Sequence, residues 1–231
     1  MLGLPDGIKA CLFDLDGVLT QTAKVHAKAW KEMFDGYLET QDGQEPFDIH
    51  GDYDEYVDGK PREDGVRDFL KSRGIDADEK LVDELATKKN DIVQHVIERD
   101  GVEPYAGSVR YLEAARDAGL RRAVVSSSHN CEAVLKAAGI DHLLEERVDG
   151  DTAVEQGLDG KPAPDMFLAG AEAVGVEAAE AAVFEDALVG VEAGHAGKFG
   201  HVVGVDRVGQ RDALREHGAD VVVDDLDELL G

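Results

Sequence analysis

Basic residues are scarce in this chain: 24 Lys and Arg stand against 50 Asp and Glu, for a formal net charge of -26. Such a surface repels phosphate backbones and anionic lipid headgroups, so neither nucleic acid nor a membrane is expected as a partner. An anionic substrate would have to be met by positive charge gathered locally. The acidity itself fits a salty cytoplasm or simply a well-solvated surface, and it carries no function. Cysteine is rarer still, with only Cys11 and Cys131 in 231 residues. Cys11 falls in an apolar run that reads as a buried strand and Cys131 opens a helical pattern, which leaves no disulfide framework and points to a reducing compartment. Nowhere are there about 18 consecutive apolar residues, as a membrane-spanning helix needs, and no basic leader precedes an apolar run at the N-terminus. Internal repeats and low-complexity tracts are absent as well. The expectation is a cytoplasmic protein with one sizeable core.

What is present is strongly patterned. From residue 105 onward, short β-rich runs at 122–126, 146–148, 182–185, 202–205 and 221–223 alternate with amphipathic segments. Two of these segments, 108–118 and 130–138, end at Gly119 and Gly139, residues suited to the left-handed turn that closes a helix. Alternation of this kind predicts a parallel sheet with crossover helices. A further apolar run at 8–13 is a strand whose partners lie about a hundred residues later. Residues 20–104 show no buried strand but three helical patterns: Val25, Ala29, Trp30, Met33 and Phe34 within 22–34, Val66, Phe69 and Leu70 within 63–73, and Leu81, Leu85, Ile92 and Val96 within 79–99. The prediction is an α/β chain. A Rossmann-like parallel sheet flanked by helices is formed by 1–19 and 105–231, and a helical cap domain, 20–104, is inserted after the first strand. Residues 35–59, acidic and glycine-rich, read as a long loop or irregular arm.

In an open parallel sheet, ligands bind beyond the carboxyl ends of the strands, so polar residues that directly follow strand candidates deserve weight. Asp14-Leu15-Asp16-Gly17 closes the first run with two carboxylates and a glycine that permits a sharp turn; a solvated strand end would look the same. Ser126-Ser127-Ser128 ends a strand in hydroxyls that lead into a helix, where they can hold a phosphoryl group or merely cap the helix. Lys161 sits between a glycine and two nearby prolines, Pro162 and Pro164, and a surface lysine in a rigid loop is the plainer reading. Glu185-Asp186 closes another apolar strand, and acids at a strand end are common.

Taken in order, these four stations match the four motifs of the haloacid dehalogenase superfamily, which the chain resembles over most of its length, the arm 35–59 excepted. The resemblance implies a Mg²⁺-dependent phosphotransferase. Asp14 would be a nucleophile forming an aspartyl phosphate, and Asp16 the general acid and base. Ser126 and Lys161 would hold the transferring phosphoryl group. The Asp14 carboxylate, the Asp16 backbone carbonyl, Glu185 and Asp186 would supply oxygen ligands to Mg²⁺.

Fold membership leaves the substrate open, so the cap has to supply it. Residues 22–30, with His26 and Trp30 on one helix face, are similar to the cap of the β-phosphoglucomutases, in which the matching histidine pairs with the acid/base aspartate. From periodicity alone, His26 is a satisfied histidine where cap meets core. Gly59-Lys60-Pro61-Arg62 resembles the mutase loop whose arginine grips the phosphate that is not transferred, and Arg62 would do so with its planar fork; otherwise it is an arginine on a solvated turn. Lys88-Lys89-Asn90-Asp91 resembles another mutase motif and makes Lys89 and Asn90 sugar contacts. The lysine pair interrupts the apolar stripe, so it needs an anion or must snorkel to solvent. In the core, Ser127, Ser128, His129 and Asn130 fall in the segment for the distal phosphate, with His129 where mutases usually carry lysine. Gln21 likewise replaces a common aspartate.

The resemblance therefore implies an enzyme that interconverts β-glucose 1-phosphate and glucose 6-phosphate, with Mg²⁺ and with β-glucose 1,6-bisphosphate as activating intermediate; a monomer is the default expectation, since the cap must be free to move over the core. The alternative is a sugar-phosphate phosphatase, for example on trehalose 6-phosphate, with the arm enlarging the pocket. A silent binding protein is disfavoured by the complete set of Asp14, Asp16, Ser126, Lys161 and Asp186. A phosphonate hydrolase would need a Schiff-base lysine in the cap, for which Lys24, Lys60 and Lys89 are available.

Overall fold

The strands form because short runs of Ala, Val, Leu and Phe are apolar on both faces and are covered on both. A computed structural model describes residues 2–231. In it β1 (Ala10–Phe13), β2 (Arg121–Val125), β3 (Glu146–Val148), β4 (Ala181–Glu185), β5 (His201–Val205) and β6 (Val221–Val223) make one sheet in the order β3-β2-β1-β4-β5-β6, every pairing parallel. Alternation along β1 feeds two cores. Cys11 and Phe13 enter the apolar cluster on one face with Tyr111, Val134 and Phe184, and Ala10 and Leu12 enter the other with Phe167, Val183 and Val202. Phe13 stacks on Phe184 at 4.5 Å between centroids. The helices α4 (Ala106–Asp117), α5 (Cys131–Ala138), α6 (Gly150–Gln156), α7 (Asp165–Ala173), α8 (Leu188–Ala196) and α9 (Arg211–Glu216) connect the strands. Both cysteines are buried and free, as the strand and helix patterns suggest.

Strand order reverses at β1, which lies between β2 and β4. At such a switch point the loops leaving adjacent strands part and leave a crevice. The loops after β1, β2 and β4 meet there.

A third apolar cluster belongs to α1 (Ala23–Leu38), α2 (Arg62–Ser72) and α3 (Glu79–Asp100). Two segments bridge these helices to the sheet. They are hydrogen-bonded to one another through Gln21 N to Glu103 O at 2.9 Å and Tyr105 N to Leu19 O at 3.0 Å.

Two features of this layer differ from the sequence expectation. On α3 the buried residues are Val82, Leu85, Ala86, Lys89 and Val93, with the expected Leu81 and Ile92 partly buried against the same cluster, so the apolar face keeps Leu85 but is centred slightly later than the expected Leu81, Leu85, Ile92 and Val96. Lys89 does not snorkel; it is one of the buried positions. The arm 35–59 is also more ordered than expected. Its first residues prolong α1 to Leu38, and Tyr53–Val57 form a π-helical turn. Phe47 is buried against Phe34 and Phe69, with centroids 5.2 and 5.0 Å away. Its amide donates to Asp35 Oδ1 at 2.8 Å, and its carbonyl accepts from Lys31 Nζ at 2.8 Å. Phe47, with Val57 buried and Tyr53 and Tyr56 packed against the same cluster, thus anchors a polar segment that has no period of its own.

Phe34 is fully buried and touches the rings of Trp30, Phe47 and Phe69. Phe34→Ala is expected to lower stability by about 3–5 kcal/mol in urea titrations. A loss below about 1 kcal/mol would contradict this packing.

Candidate active site

Asp14 and Asp16 leave the carboxyl end of β1, Ser126 that of β2, and Glu185 and Asp186 that of β4, which brings three of the four stations to one crevice. Gly17 permits this closeness. Its φ of +91° suits no side chain, and a Cβ there would fall 1.8 Å from Asp186 Oδ2. Gly190 at the start of α8 does the same for Glu185, where a Cβ would lie 1.9 Å from Oε1.

Lys161, from the loop before α7, is buried. Its Nζ donates to Asp14 Oδ1 and Glu185 Oε1, both at 2.5 Å, and to the Val125 carbonyl at 3.3 Å. Burial alone would lower its ammonium, but the Asp14 and Glu185 carboxylates outweigh burial and push it up. It is therefore charged, and not the surface lysine of the plainer reading. Burial raises Asp14 to about 6 even though Lys161 acts to lower it. Glu185 is raised by burial and by Asp14, and Asp186 by burial and by Asp58 and Glu185.

One lysine does not neutralise so many acids. Oxygens of Asp14, Glu185 and Asp186 lie within 4.8 Å of one another, an all-oxygen donor set that suits a hard divalent cation. Glu185 Oε2 already accepts from the Ala187 amide at 2.8 Å. The Asp16 carboxylate is outside this cluster; it accepts from the Thr22 hydroxyl and lies 3.5 Å from His26 Nε2.

The helical layer closes the crevice. His26 Nδ1 is 2.9 Å from Lys89 Nζ, and Lys89 Nζ lies 4.8 Å from the Trp30 ring centroid. Burial and the lysine hold His26 well below the usual imidazole range. Burial lowers Lys89 to about 7, with Asp16 opposing. A neutral His26 that accepts from Lys89 at Nδ1 carries its proton on Nε2, facing Asp16. Burial also raises Asp16.

His26, Trp30, Arg62, Lys89 and Asn90 line the same cavity as Asp14, Asp16, Ser126, Ser127, Ser128, His129, Asn130, Glu185 and Asp186. Arg62 is not free on a solvated turn: Nε and Nη2 donate to Glu63 Oε1 at 3.1 and 3.0 Å. Ser127 Oγ donates to the Gly59 carbonyl at 3.1 Å and Asn130 Nδ2 to Asn90 Oδ1 at 2.8 Å. These two residues thus join the sheet loops to the helical layer. Ser126 Oγ accepts from the Ser128 amide and Ser128 Oγ from the Asn130 amide, at 3.2 and 3.1 Å, so the hydroxyls shape a turn in the loop after β2. His129 Nδ1 is 2.6 Å from Asp151 Oδ1.

Tyr53 and Asp58 also line the cavity, and sequence reasoning missed both. They lie in the arm, where no period flagged them. The available signal was a set of apolar and aromatic residues, Phe47, Tyr53, Tyr56 and Val57, in an otherwise acidic segment that had to be buried somewhere. Burial and Glu185 raise the Asp58 carboxyl.

The model of haloacid dehalogenase-like hydrolases matches residues 8–198, and the chain belongs to this family. Within it the chain is β-phosphoglucomutase-like. It is 53% identical to a β-phosphoglucomutase of Mycobacterium tuberculosis, over 100% of this chain and 94% of the relative, and 32% identical to that of Bacillus subtilis, over 96% and 92%. A β-phosphoglucomutase structure from Clostridium difficile superimposes with a TM-score of 0.79 at 26% identity, covering 96% of this chain and 93% of the other.

The folded state raises Asp14 above its unfolded range, so it binds that proton more tightly and loses stability as pH climbs from about 4 through about 6. Glu185, Asp186 and Asp58 shift in the same sense, and these four acids outnumber His26 and Lys89, whose lowered values act in the opposite sense. Metal-free protein is therefore expected to melt higher near about pH 5 than near about pH 8, and added Mg²⁺ to raise the melting temperature more at the higher pH. Differential scanning fluorimetry checks this, and a melting temperature that ignores both pH and Mg²⁺ would contradict it.

Proposed function

We propose that this enzyme interconverts β-glucose 1-phosphate and glucose 6-phosphate, with Asp14 carrying the phosphoryl group between half-reactions and β-glucose 1,6-bisphosphate as the intermediate. The observation that carries the reading is one cavity furnished for phosphate at two places. Asp14 and Ser126, with Lys161 behind them, serve one, and Arg62, Ser128, His129 and Asn130 the other. A bisphosphate needs both; a phosphatase acting on a monoester needs only the first.

The chemistry follows from two carboxylates in unlike surroundings. Asp14, ionised near neutral pH and oriented by Lys161, attacks the phosphorus of the 1-phosphoryl group of β-glucose 1,6-bisphosphate, and glucose 6-phosphate is the product that leaves. The bond from phosphorus to the sugar oxygen breaks with its electron pair on that oxygen, and Asp16 supplies the proton. Burial favours the protonated Asp16 that this step requires. In the second half-reaction, Asp16 takes the proton of the 6-hydroxyl of a β-glucose 1-phosphate as that oxygen attacks the aspartyl phosphate, which regenerates the bisphosphate and frees Asp14. Asp14, Asp186, Glu185 and the Asp16 carbonyl would hold Mg²⁺, which would neutralise charge on the phosphoryl oxygens. Trp30, Lys89 and Asn90 would contact the sugar. Contacts such as Ser127 to Gly59 and Asn130 to Asn90 draw the helices over the site, and excluding water there favours transfer to a sugar hydroxyl over hydrolysis.

The enzyme would act on a small sugar phosphate, as a cytoplasmic monomer. No described helix is long and apolar enough to cross a membrane.

Phosphorus NMR with Mg²⁺ and β-glucose 1-phosphate tests the reading. Glucose 6-phosphate should accumulate only when a trace of β-glucose 1,6-bisphosphate is added, and free phosphate as the main product would make the enzyme a phosphatase. His26→Ala is expected to lower mutase turnover by about 10²-fold and to leave hydrolysis of the aspartyl phosphate much less affected. Equal loss of both would remove His26 from any role in gating.

A further inference from the structure

The loop after β5 belongs to none of the four stations read from the sequence, yet it reaches two of them. Asp206 Oδ1 accepts from the amides of Gly209 and Gln210 at 2.7 and 2.8 Å, which fixes the loop as a turn. From it Gln210 Nε2 donates to the Asp186 carbonyl at 3.0 Å, and Arg207 Nε donates to the Gly17 carbonyl at 2.7 Å. Arg207 Nη1 donates to the Asp224 carbonyl at 2.7 Å and lies 3.6 Å from Asp225 Oδ2. The guanidinium carbon sits 3.6 Å from the centroid of the Tyr105 ring, a close cation–π stack. Tyr105 is where the chain returns from the helical layer, its amide bonded to Leu19 O. Gly17 directly follows Asp16, and its own amide donates to Thr20 O at 2.8 Å.

We propose that Arg207 is a positioning residue for Asp16: by clamping the Gly17 carbonyl against the Tyr105 ring, it fixes the turn that carries the acid/base carboxylate to the seam between helical layer and sheet. The clamp is mechanical. The cations whose charge acts on the Asp16 carboxyl are Lys89 and Lys161, so Arg207 works through the backbone it holds. Its planar fork serves Gly17, Asp224 and Tyr105 at once, a geometry that lysine cannot reproduce.

The inference rests on Asp16 acting as the acid, and the dependence on leaving group tests it. Acetyl phosphate transfers its phosphoryl group to Asp14 with cleavage of the bond from phosphorus to acetate oxygen; acetate departs with the electron pair and needs no proton. The sugar oxygen that leaves β-glucose 1,6-bisphosphate in primed turnover does need one, from Asp16. Wild type, Arg207→Lys and Arg207→Met are compared with Mg²⁺, following phospho-enzyme formation from acetyl phosphate and primed turnover of β-glucose 1-phosphate. Turnover of the sugar phosphate should fall by about 10²-fold in both variants, while phosphorylation by acetyl phosphate stays within about 3-fold. Tyr105→Leu, which keeps the Gly17 bond and loses the stack, should show a smaller loss of the same kind and serves if the Arg207 variants do not fold. Equal falls with both donors, or a lower melting temperature with neither rate changed, would overturn the proposal. Wild type that accepts phosphate from acetyl phosphate but leaves β-glucose 1-phosphate untouched would refute the mutase reading alone. Phenyl phosphate then replaces the sugar phosphate, with the same two outcomes deciding the role of Arg207.

Discussion

The active-site end of the sheet depends on one buried ammonium. Lys161 touches Asp14 and Glu185 at 2.5 Å in a place where none of the three could stand ionised alone, because desolvating a single charge costs several kcal/mol. The carboxylates keep the lysine charged, and the lysine aims Asp14 into the crevice. The pairing fixes the loop before α7 against the ends of β1 and β4. Compensation is still incomplete, since Asp186 and Asp58 add negative charge nearby and all four acids are pushed up. A site left short of positive charge in this way favours a divalent cation and an anionic group brought in together.

Across the crevice, the helical layer answers with a second buried lysine. Lys89 sits on Trp30 and bonds to His26, which faces Asp16. Asp14 is thus held by a lysine of the core, and Asp16 also by a chain of contacts that begins in the helices. Its surroundings therefore depend on how the helices lie, which would suit the change from acid to base proposed for it.

The sheet was legible because its strands are short apolar runs separated by glycine-closed helices, and each predicted strand overlaps an observed one. The stations at Asp14, Ser126 and Glu185 were legible for a related reason: a parallel sheet presents whatever follows its strands; Lys161, between two helices, was legible only from its place between a glycine and two prolines and from the motif order. Partners were not. That Lys161 bonds to Asp14, 147 residues away, is a property of the switch point and not of any spacing in the chain. Lys89 was singled out as a charge near an apolar stripe, but packing against α1 and α2 widens the buried face beyond that stripe to take in Val82, Ala86, Lys89 and Val93. Tyr53 and Asp58 escaped because the arm has no period and is shaped by Phe47. Arg207 escaped because it works through a backbone carbonyl 190 residues earlier in the chain.

The most direct test is rapid-quench mass spectrometry of the protein mixed with β-glucose 1,6-bisphosphate and Mg²⁺. A phosphoryl adduct on the peptide that contains Asp14, formed and consumed at least as fast as steady-state turnover, is the expected result. An adduct on another residue, or turnover with no adduct in any peptide, would contradict Asp14 as the carrier.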